Sequence, residues 1–475
     1  MNRDAHLQRL DESWDFVVIG GGASGLGTAV DAASRGFRVA LVEQHDFAKG
    51  TSSRSTKLVH GGVRYLKQGN LSLVREALHE RGLLLRNAPH LVHPLPFVIP
   101  AYRQWDRLYY GAGLKLYDRL AGDLGIEPSR LLGLQETIDR LPGLRPDKLC
   151  GGVLYHDAQF DDAGLAVSLA RTLSDLGGNP VNYLKVVAVR KGVVRAVDQE
   201  TGREHTLRAK AVINATGVFA DEIRRLEEPA CEPMLAPSQG IHLVLPQAFL
   251  PGGNALMIPK TDDGRVLFAI PWQGRVLLGT TDTPVDRPEL EPVPLEREID
   301  FLLAHAGRYF TRPPERRDVL AMFAGLRPLV KQGFSGKTSV LPRDHVLRVS
   351  ASGLITLTGG KWTTYRRMGE DAIDTAIRVA GLDFRPSNTA TLALAGTDDR
   401  PADPVLRAVR VEMARTVEDV LARRTRALLL DARASLEQAP EVAELLAREL
   451  GRDAEWQARQ VREYRQLAES YMPSC

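Results

Sequence analysis

The chain has 475 residues, of which 44% are hydrophobic and 25% charged, and a formal net charge of +3. It is long enough for two or more domains, has the composition of a soluble globular protein, and is too nearly neutral to announce nucleic acid as a partner. No uncharged apolar run of about 18 residues is present to span a bilayer, and Met1-Asn2-Arg3-Asp4-Ala5-His6 lacks the apolar core of a signal peptide. A cytoplasmic protein is therefore expected, or one lying peripherally on the cytoplasmic face of the inner membrane. Cys150, Cys231 and Cys475 are scattered and odd in number, which suits neither a disulfide framework nor a metal site.

The first element is an apolar strand, Asp15-Phe16-Val17-Val18-Ile19, running into Gly20-Gly21-Gly22-Ala23-Ser24-Gly25 and a helix. A second strand, Phe37-Arg38-Val39-Ala40-Leu41-Val42, ends at Glu43. This order of strand, glycines, helix and acid is that of a dinucleotide-binding unit. Gly20 permits the tight turn, Gly22 lets backbone approach a pyrophosphate, and Gly25 lets the helix pack close to the strand. Ala23 and Ser24 open the helix, whose unpaired N–H groups face the phosphates. A carboxylate at Glu43 accepts both hydroxyls of an adenosine ribose and disfavours a 2′-phosphate, which fits FAD or NAD.

Next comes a loop, 50–57, that reads as too polar for core, and it leads to His60-Gly61-Gly62-Val63-Arg64-Tyr65. Helical spacing is expected over 71–87, ended by Pro89, and again over 105–120; between them 91–100 is apolar and proline-rich. A helix over 161–176 and short strands around 186–189 and 193–197 follow. The strand 211–214 then closes in the small-residue turn Ala215-Thr216-Gly217. From about 233 to 344 the pattern is of β-hairpins, for example 265–270 with 275–279 across Pro271-Trp272-Gln273-Gly274. A strand from 354 reaches Gly359-Gly360 and opens a helix over 363–380. After a linker at 396–403, Leu406, Val409, Met413, Val417, Val420 and Leu421 repeat at helical spacing. The arginines among them read as a solvated helix face in preference to a membrane-surface patch.

Several segments together resemble the FAD-dependent glycerol-3-phosphate dehydrogenases, within the wider group similar to D-amino-acid oxidase. They are Gly20 to Gly25 with Glu43, Thr51-Ser52-Ser53, the His60 to Tyr65 segment, Gly279-Thr280-Thr281-Asp282, Gly325-Leu326-Arg327-Pro328-Leu329, and Gly359-Gly360-Lys361-Trp362-Thr363-Thr364-Tyr365-Arg366. The Met413 to Arg426 segment extends the resemblance into a helical C-terminal cap. The implied architecture is an α/β FAD-binding dinucleotide fold (1–88, 150–232 and 345–387) interleaved with an α+β substrate domain of antiparallel sheet (89–149 and 233–344). A small all-α cap follows (388–475), shorter than is usual for the family.

The resemblance implies oxidation of sn-glycerol 3-phosphate to dihydroxyacetone phosphate by hydride transfer to FAD, with electrons passed to a membrane quinone. It leaves open an oxidase that makes hydrogen peroxide and a flavin-binding redox module without turnover; self-association as a homodimer is also left open. No metal is implied. A phosphate dianion calls for a fork of cationic donors, and Arg64, Arg327, Arg343 and Lys361 are the candidates. Tyr65 either offers its phenol to substrate or packs as an ordinary aromatic. His60 and His242 compete for the role of general base, and Arg327 and Lys361 join them as catalytic candidates. Thr51, Ser52, Ser53, His60, Gly61, Gly62, Gly217, Gly359, Gly360, Lys361 and Thr363 are the expected flavin contacts, beside the dinucleotide set from Gly20 to Glu43.

Overall fold

The computed structural model describes residues 1–63, 66, 70–331, 345–396 and 401–473. Arg64, Tyr65, Arg343 and Cys475 lie outside these residues. Among the described residues, eight strands form one sheet and ten form a second.

The first sheet is parallel at its heart. Ser13–Ile19 lies between Val39–Val42 and Glu204–Asn214, with Asn179–Val181 beyond the former and Leu354–Gly359 beyond the latter. Parallel strands buried on both faces need near-continuous apolar sequence, and Phe16, Val17, Val18, Ile19, Val39, Ala40, Leu41 and Val42 are all buried. The helix Ala23–Ser34 covers one face, and Tyr365–Ala380 packs against it where Gly27 and Gly369 let the backbones approach.

The second sheet is mainly antiparallel, in the order Thr283–Pro284, Ser238–Pro246, Arg275–Gly279, Leu267–Trp272, Ala255–Ile258, Val92–Ala101, Gly151–Phe160, Leu58–Val59. Ala321–Arg327 flanks Ser238–Pro246, and Arg130–Leu132 flanks Gly151–Phe160. Two expectations change here. Gly151–Phe160, assigned above to the nucleotide-binding segments, pairs along its whole length with Val92–Ala101 and belongs to this sheet. The hairpin turn is only Gln273-Gly274, at φ +44° and +74°, because Pro271 and Trp272 still pair with Val276 and Arg275. Two positive φ values in a two-residue loop match the twist of the strands it joins.

The C-terminal helices Ala432–Leu450 and Ala454–Glu469 are capped by Asp431 and Asp453. They bury Leu446, Tyr464 and Ala468 in one core with Trp272, Ala321 and Phe323 of the second sheet. The arginines of this module depart from the solvated face expected of them. Arg448 and Arg459 are exposed, but Arg423, Arg424 and Arg426 have buried side chains turned inward onto carboxylates. Asp46, fully buried, accepts from Arg423 Nε at 2.7 Å and from Arg424 Nη1 at 2.7 Å. The module is thereby latched to the loop that follows Glu43. No helix among the described residues is long and apolar enough to cross a membrane.

Candidate active site

A cavity of about 370 Å³ begins at the carboxyl ends of the parallel strands and reaches the second sheet. At one end Gly20 sits at φ +112°, and a Cβ there would stand 2.6 Å from the Ala215 carbonyl oxygen. A Cβ on Gly25 would run into the Gly20 carbonyl oxygen itself, so strand and helix can touch only through glycine. The helix Ala23–Ser34 starts at Gly22 with no side-chain cap, and Ser52 Oγ accepts the Ala23 N–H at 2.9 Å. Glu43 Oε2 accepts the Gly21 N–H at 2.6 Å and Oε1 accepts the His45 N–H at 2.9 Å. This glycine cradle, open helix N-terminus and carboxylate fit the pyrophosphate and ribose of a dinucleotide. Gly25→Ala is expected to weaken FAD retention: overpacking of about 1–3 kcal/mol corresponds to roughly tenfold to a hundredfold in affinity. The ratio of flavin to protein absorbance after dialysis measures it.

Further along, Gly217 at φ +58° and Gly359-Gly360 at φ +81° and +72° bring bare backbone to the cavity. Lys361 then caps the short helix Trp362–Thr364, which runs into Tyr365–Ala380. Trp362 Nε1–H donates to the Ser52 carbonyl at 2.9 Å, and the His60 N–H donates to Thr363 Oγ1 at 3.4 Å. The segments around Ser52, His60 and Lys361 are therefore tied together around this end of the cavity.

The far end is built by two paired strands. Ser238–Pro246 carries His242 opposite Phe323, and Ala321–Arg327 carries Arg327 opposite Ser238. The Arg327 guanidinium donates to Thr281 O at 2.9 Å, to Thr280 Oγ1 and Gln239 O at 3.3 Å, and to Asp282 Oδ1 at 3.4 Å. It occupies the space a side chain at Gly240 would take. His242 is 3% exposed, stacks on Phe323 with centroids 5.0 Å apart, and shares a 2.9 Å hydrogen bond between Nε2 and Thr56 Oγ1. Burial, reinforced by the Lys57 and Arg327 charges and opposed by Asp162, pulls its imidazole well below the usual value. The ring is neutral at physiological pH, as a proton acceptor must be.

A smaller chamber of about 170 Å³ adjoins this end and shares Thr56, Leu58, His60 and Arg327 with the first. Its wall includes Gly62, Phe97, Tyr155 and Asp157. Asp157 is held by Arg81 at 2.7 Å and by the Tyr117 hydroxyl at 2.8 Å.

Of the residues singled out from sequence, Gly20, Gly22, Ala23, Ser24, Glu43, Thr51, Ser52, His60, Gly217, His242, Arg327, Gly359, Gly360, Lys361 and Thr363 line the main cavity. Gly62 lines only the smaller chamber. Gly25, Ser53 and Gly61 line neither. Gly25 acts in packing. Gly61 donates its N–H to Tyr117 Oη at 2.8 Å, where a Cβ would strike Leu78 and that hydroxyl. The Ser53 carbonyl is an acceptor for Lys57 and Arg426. Sequence reasoning missed Thr56, Lys57, Asp162 and Phe323. The loop 50–57 is polar, yet Ser53, Arg54 and Lys57 within it are buried, since Asp162, Glu291 and Arg426 from distant parts of the chain hold them.

Residues 15–366 match the family model described as FAD dependent oxidoreductase, and residues 387–457 match the C-terminal domain of alpha-glycerophosphate oxidase. The chain is 43% identical over 420 residues to the mitochondrial glycerol-3-phosphate dehydrogenase of Mus musculus, covering 84% of this chain and 58% of that protein. It is 44% identical over 404 residues to the mitochondrial glycerol-3-phosphate dehydrogenase of Arabidopsis thaliana, covering 81% and 64%. The chain thus spans less than two thirds of the length of these relatives. Its fold is similar to the glycerol-3-phosphate dehydrogenase from Bacillus halodurans complexed with FAD, with a TM-score of 0.80 and 28% identity over 99% of this chain and 97% of that one. The first model runs over most of the chain, and the cradle built by Gly20, Gly22 and Glu43 suits the cofactor that model names; the protein belongs to the FAD-dependent oxidoreductases.

Proposed function

We propose that this chain oxidises sn-glycerol 3-phosphate to dihydroxyacetone phosphate and passes the electrons to a membrane quinone. The observation that carries the reading is a single cavity joining a dinucleotide cradle to a neutral, buried histidine beside a fixed arginine. The relatives named glycerol-3-phosphate dehydrogenase support it. Bound FAD supplies the hydride acceptor. The chain's own residues bind and polarise. Arg327, its plane set by four acceptors, and Lys361 offer charge-assisted donors to the phosphate, with Arg64 and Arg343 as further candidates. His242 takes the C2 hydroxyl proton, and His60, standing where the two chambers meet, contacts cofactor and substrate.

Contact with a membrane is part of the same proposal. The helix Gln104–Ala121 buries Leu114, Tyr117 and Ala121 but turns Trp105, Leu108, Tyr109 and Leu116 outward, with Trp105 80% exposed. Arg103, Lys115 and Arg119 are also exposed along it. Aromatic and leucine side chains flanked by cations suit an anionic lipid surface. Trp105→Asp combined with Leu108→Asp is expected to cut co-flotation with anionic phosphatidylglycerol vesicles by tenfold or more while leaving flavin content unchanged; each buried apolar side chain is worth about 1.5–3 kcal/mol.

A second reading, an oxidase that reduces oxygen to hydrogen peroxide, is favoured by the C-terminal match to alpha-glycerophosphate oxidase. Turnover with a soluble ubiquinone analogue against peroxide release in air-saturated buffer separates the two acceptors.

A further inference from the structure

Lys57 takes no part in the function proposed above, yet it is fully buried beside the site. It sits at φ +60°, and its ammonium donates to Asp162 Oδ2 and to the Ser53 carbonyl, both at 2.7 Å. Arg426 of the C-terminal module donates to the other Asp162 oxygen at 2.7 Å and to the same Ser53 carbonyl at 3.0 Å. Asp162 further accepts the Ser55 N–H and hydroxyl, at 3.1 and 2.7 Å. Two aromatic faces complete the enclosure. Lys57 Nζ lies 5.3 Å from the Trp272 ring centroid and 5.2 Å from that of Phe323. Phe323 is the ring on which His242 stacks, and Thr56, the residue before Lys57, holds His242 Nε2.

We propose that Lys57, locked in place by Asp162 and by Arg426 of the C-terminal module, is a positioning residue for His242: it fixes Thr56 against the imidazole and places a positive charge beside it. The knot spans three parts of the chain. It ties the loop 50–57 through the Ser53 carbonyl, the helix Asp162–Asp175 through its first residue, and the C-terminal module through Arg426. The arrangement also explains why a lysine is buried there. A neutral residue could fill the space, but only a cation both satisfies Asp162 and opposes a proton on His242.

The groups acting on His242 are Lys57 and Arg327, which disfavour its protonation, and Asp162, which favours it less strongly than Lys57 opposes it. Those acting on Lys57 are Asp162 and Asp161, which hold its proton, and Arg426, which repels it. Burial brings the Lys57 ammonium down to about 7 against the pull of Asp162. Removing the charge at position 57 therefore makes His242 easier to protonate. Removing the charges of both Lys57 and Asp162 has the same sign and a smaller size.

The inference rests on the proposed role of His242, so its test has a readout that needs no substrate. FAD-loaded protein carrying ¹⁵N-labelled histidine is titrated by NMR, with the His242 signal assigned by its loss in His242→Gln. In Lys57→Met the His242 titration is expected about one pH unit or more above the wild type, a tenfold change in the protonation equilibrium. The double variant Lys57→Met with Asp162→Asn strands no carboxylate at position 162, gives a smaller upward shift, and serves where the single variant does not fold. The acidic limb of the anaerobic flavin-reduction rate with sn-glycerol 3-phosphate is expected to move upward in parallel. Coincident His242 titrations in wild type and either folded variant overturn the proposal. Wild-type flavin that stays oxidised with this substrate overturns the proposed activity instead, and the NMR comparison still decides the role of Lys57.

Discussion

Arg327→Ala is expected to lower kcat/KM for sn-glycerol 3-phosphate by about a hundredfold to a thousandfold. Truncating one partner of a buried, hydrogen-bonded charge pair costs about 2–5 kcal/mol, and each 1.36 kcal/mol is tenfold in rate. The guanidinium is positioned before any substrate arrives: Thr281 O, Thr280 Oγ1, Gln239 O and Asp282 Oδ1 set its plane at the cavity wall. Alanine removes the donor and also takes one cationic contact from Asp282, whose side chain is 5% exposed and which the Ser238 hydroxyl also holds. Arg327→Lys restores a charge without the planar fork, so it recovers only part of the loss. Stopped-flow flavin reduction over a substrate series measures the effect. Because the proposed partner is the phosphate, saturation suffers first, and a rise in the apparent dissociation constant accompanies any fall in the limiting rate.

The largest effect on stability is expected from Arg423→Met, about 3–5 kcal/mol, the cost of breaking a buried ion pair on one side only. Arg423 donates to Asp46 at 2.7 Å, to Glu418 at 2.5 Å and to Asp419 at 2.6 Å, with its side chain 3% exposed. Burial raises Asp46 and Glu418, but Arg424 and Arg423 acting on Asp46, and Lys49 and Arg423 acting on Glu418, outweigh it and hold both carboxyls below their ordinary range. Carboxylates depressed in this way stabilise the fold fully above their unfolded values, near pH 4, and lose that contribution as pH falls through the folded ones. In the variant burial is less opposed, and the same carboxyls take up protons at higher pH. The stability difference between wild type and variant, from urea unfolding, is therefore at its full size at pH 7 and narrows as the pH falls below about 4. The loop after Glu43 is braced by this cluster, so the variant also releases FAD more readily.

The parts of this molecule that were legible in the sequence are those whose physics is local. The strand, glycine turn, helix and Glu43 all fall within about thirty residues, and the space at Gly25 is closed by the Gly20 carbonyl oxygen of the same turn. The helix Leu71–Asn87 begins at a real cap, with Asn70 Oδ1 accepting the Leu73 N–H at 3.2 Å, and stops just before Pro89. Val92–Ala101 was harder to read. Pro94, Pro96 and Pro100 argue against an interior strand, but they occupy alternate positions, so their missing donors all lie along the same edge.

Long-range charge was not legible. Lys57 and Asp162 are 105 residues apart, and Arg426 lies 264 residues beyond Asp162. In sequence, each of these looks like a residue for the surface. Only the fold shows that the polar loop 50–57 and the arginines near the C-terminus are two halves of one buried network. The same holds for Thr56 and His242, 186 residues apart, whose hydrogen bond places the histidine in the site. The cradle could be derived from one segment, whereas the histidine's surroundings come from four.

The central claim is most directly tested by adding sn-glycerol 3-phosphate to the FAD-loaded protein without oxygen and following the absorbance of the oxidised flavin, with glycerol and lactate as controls. Rapid bleaching by the phosphate ester alone is the predicted result. A flavin that stays oxidised with the phosphate ester, or that bleaches equally with glycerol, would contradict the account.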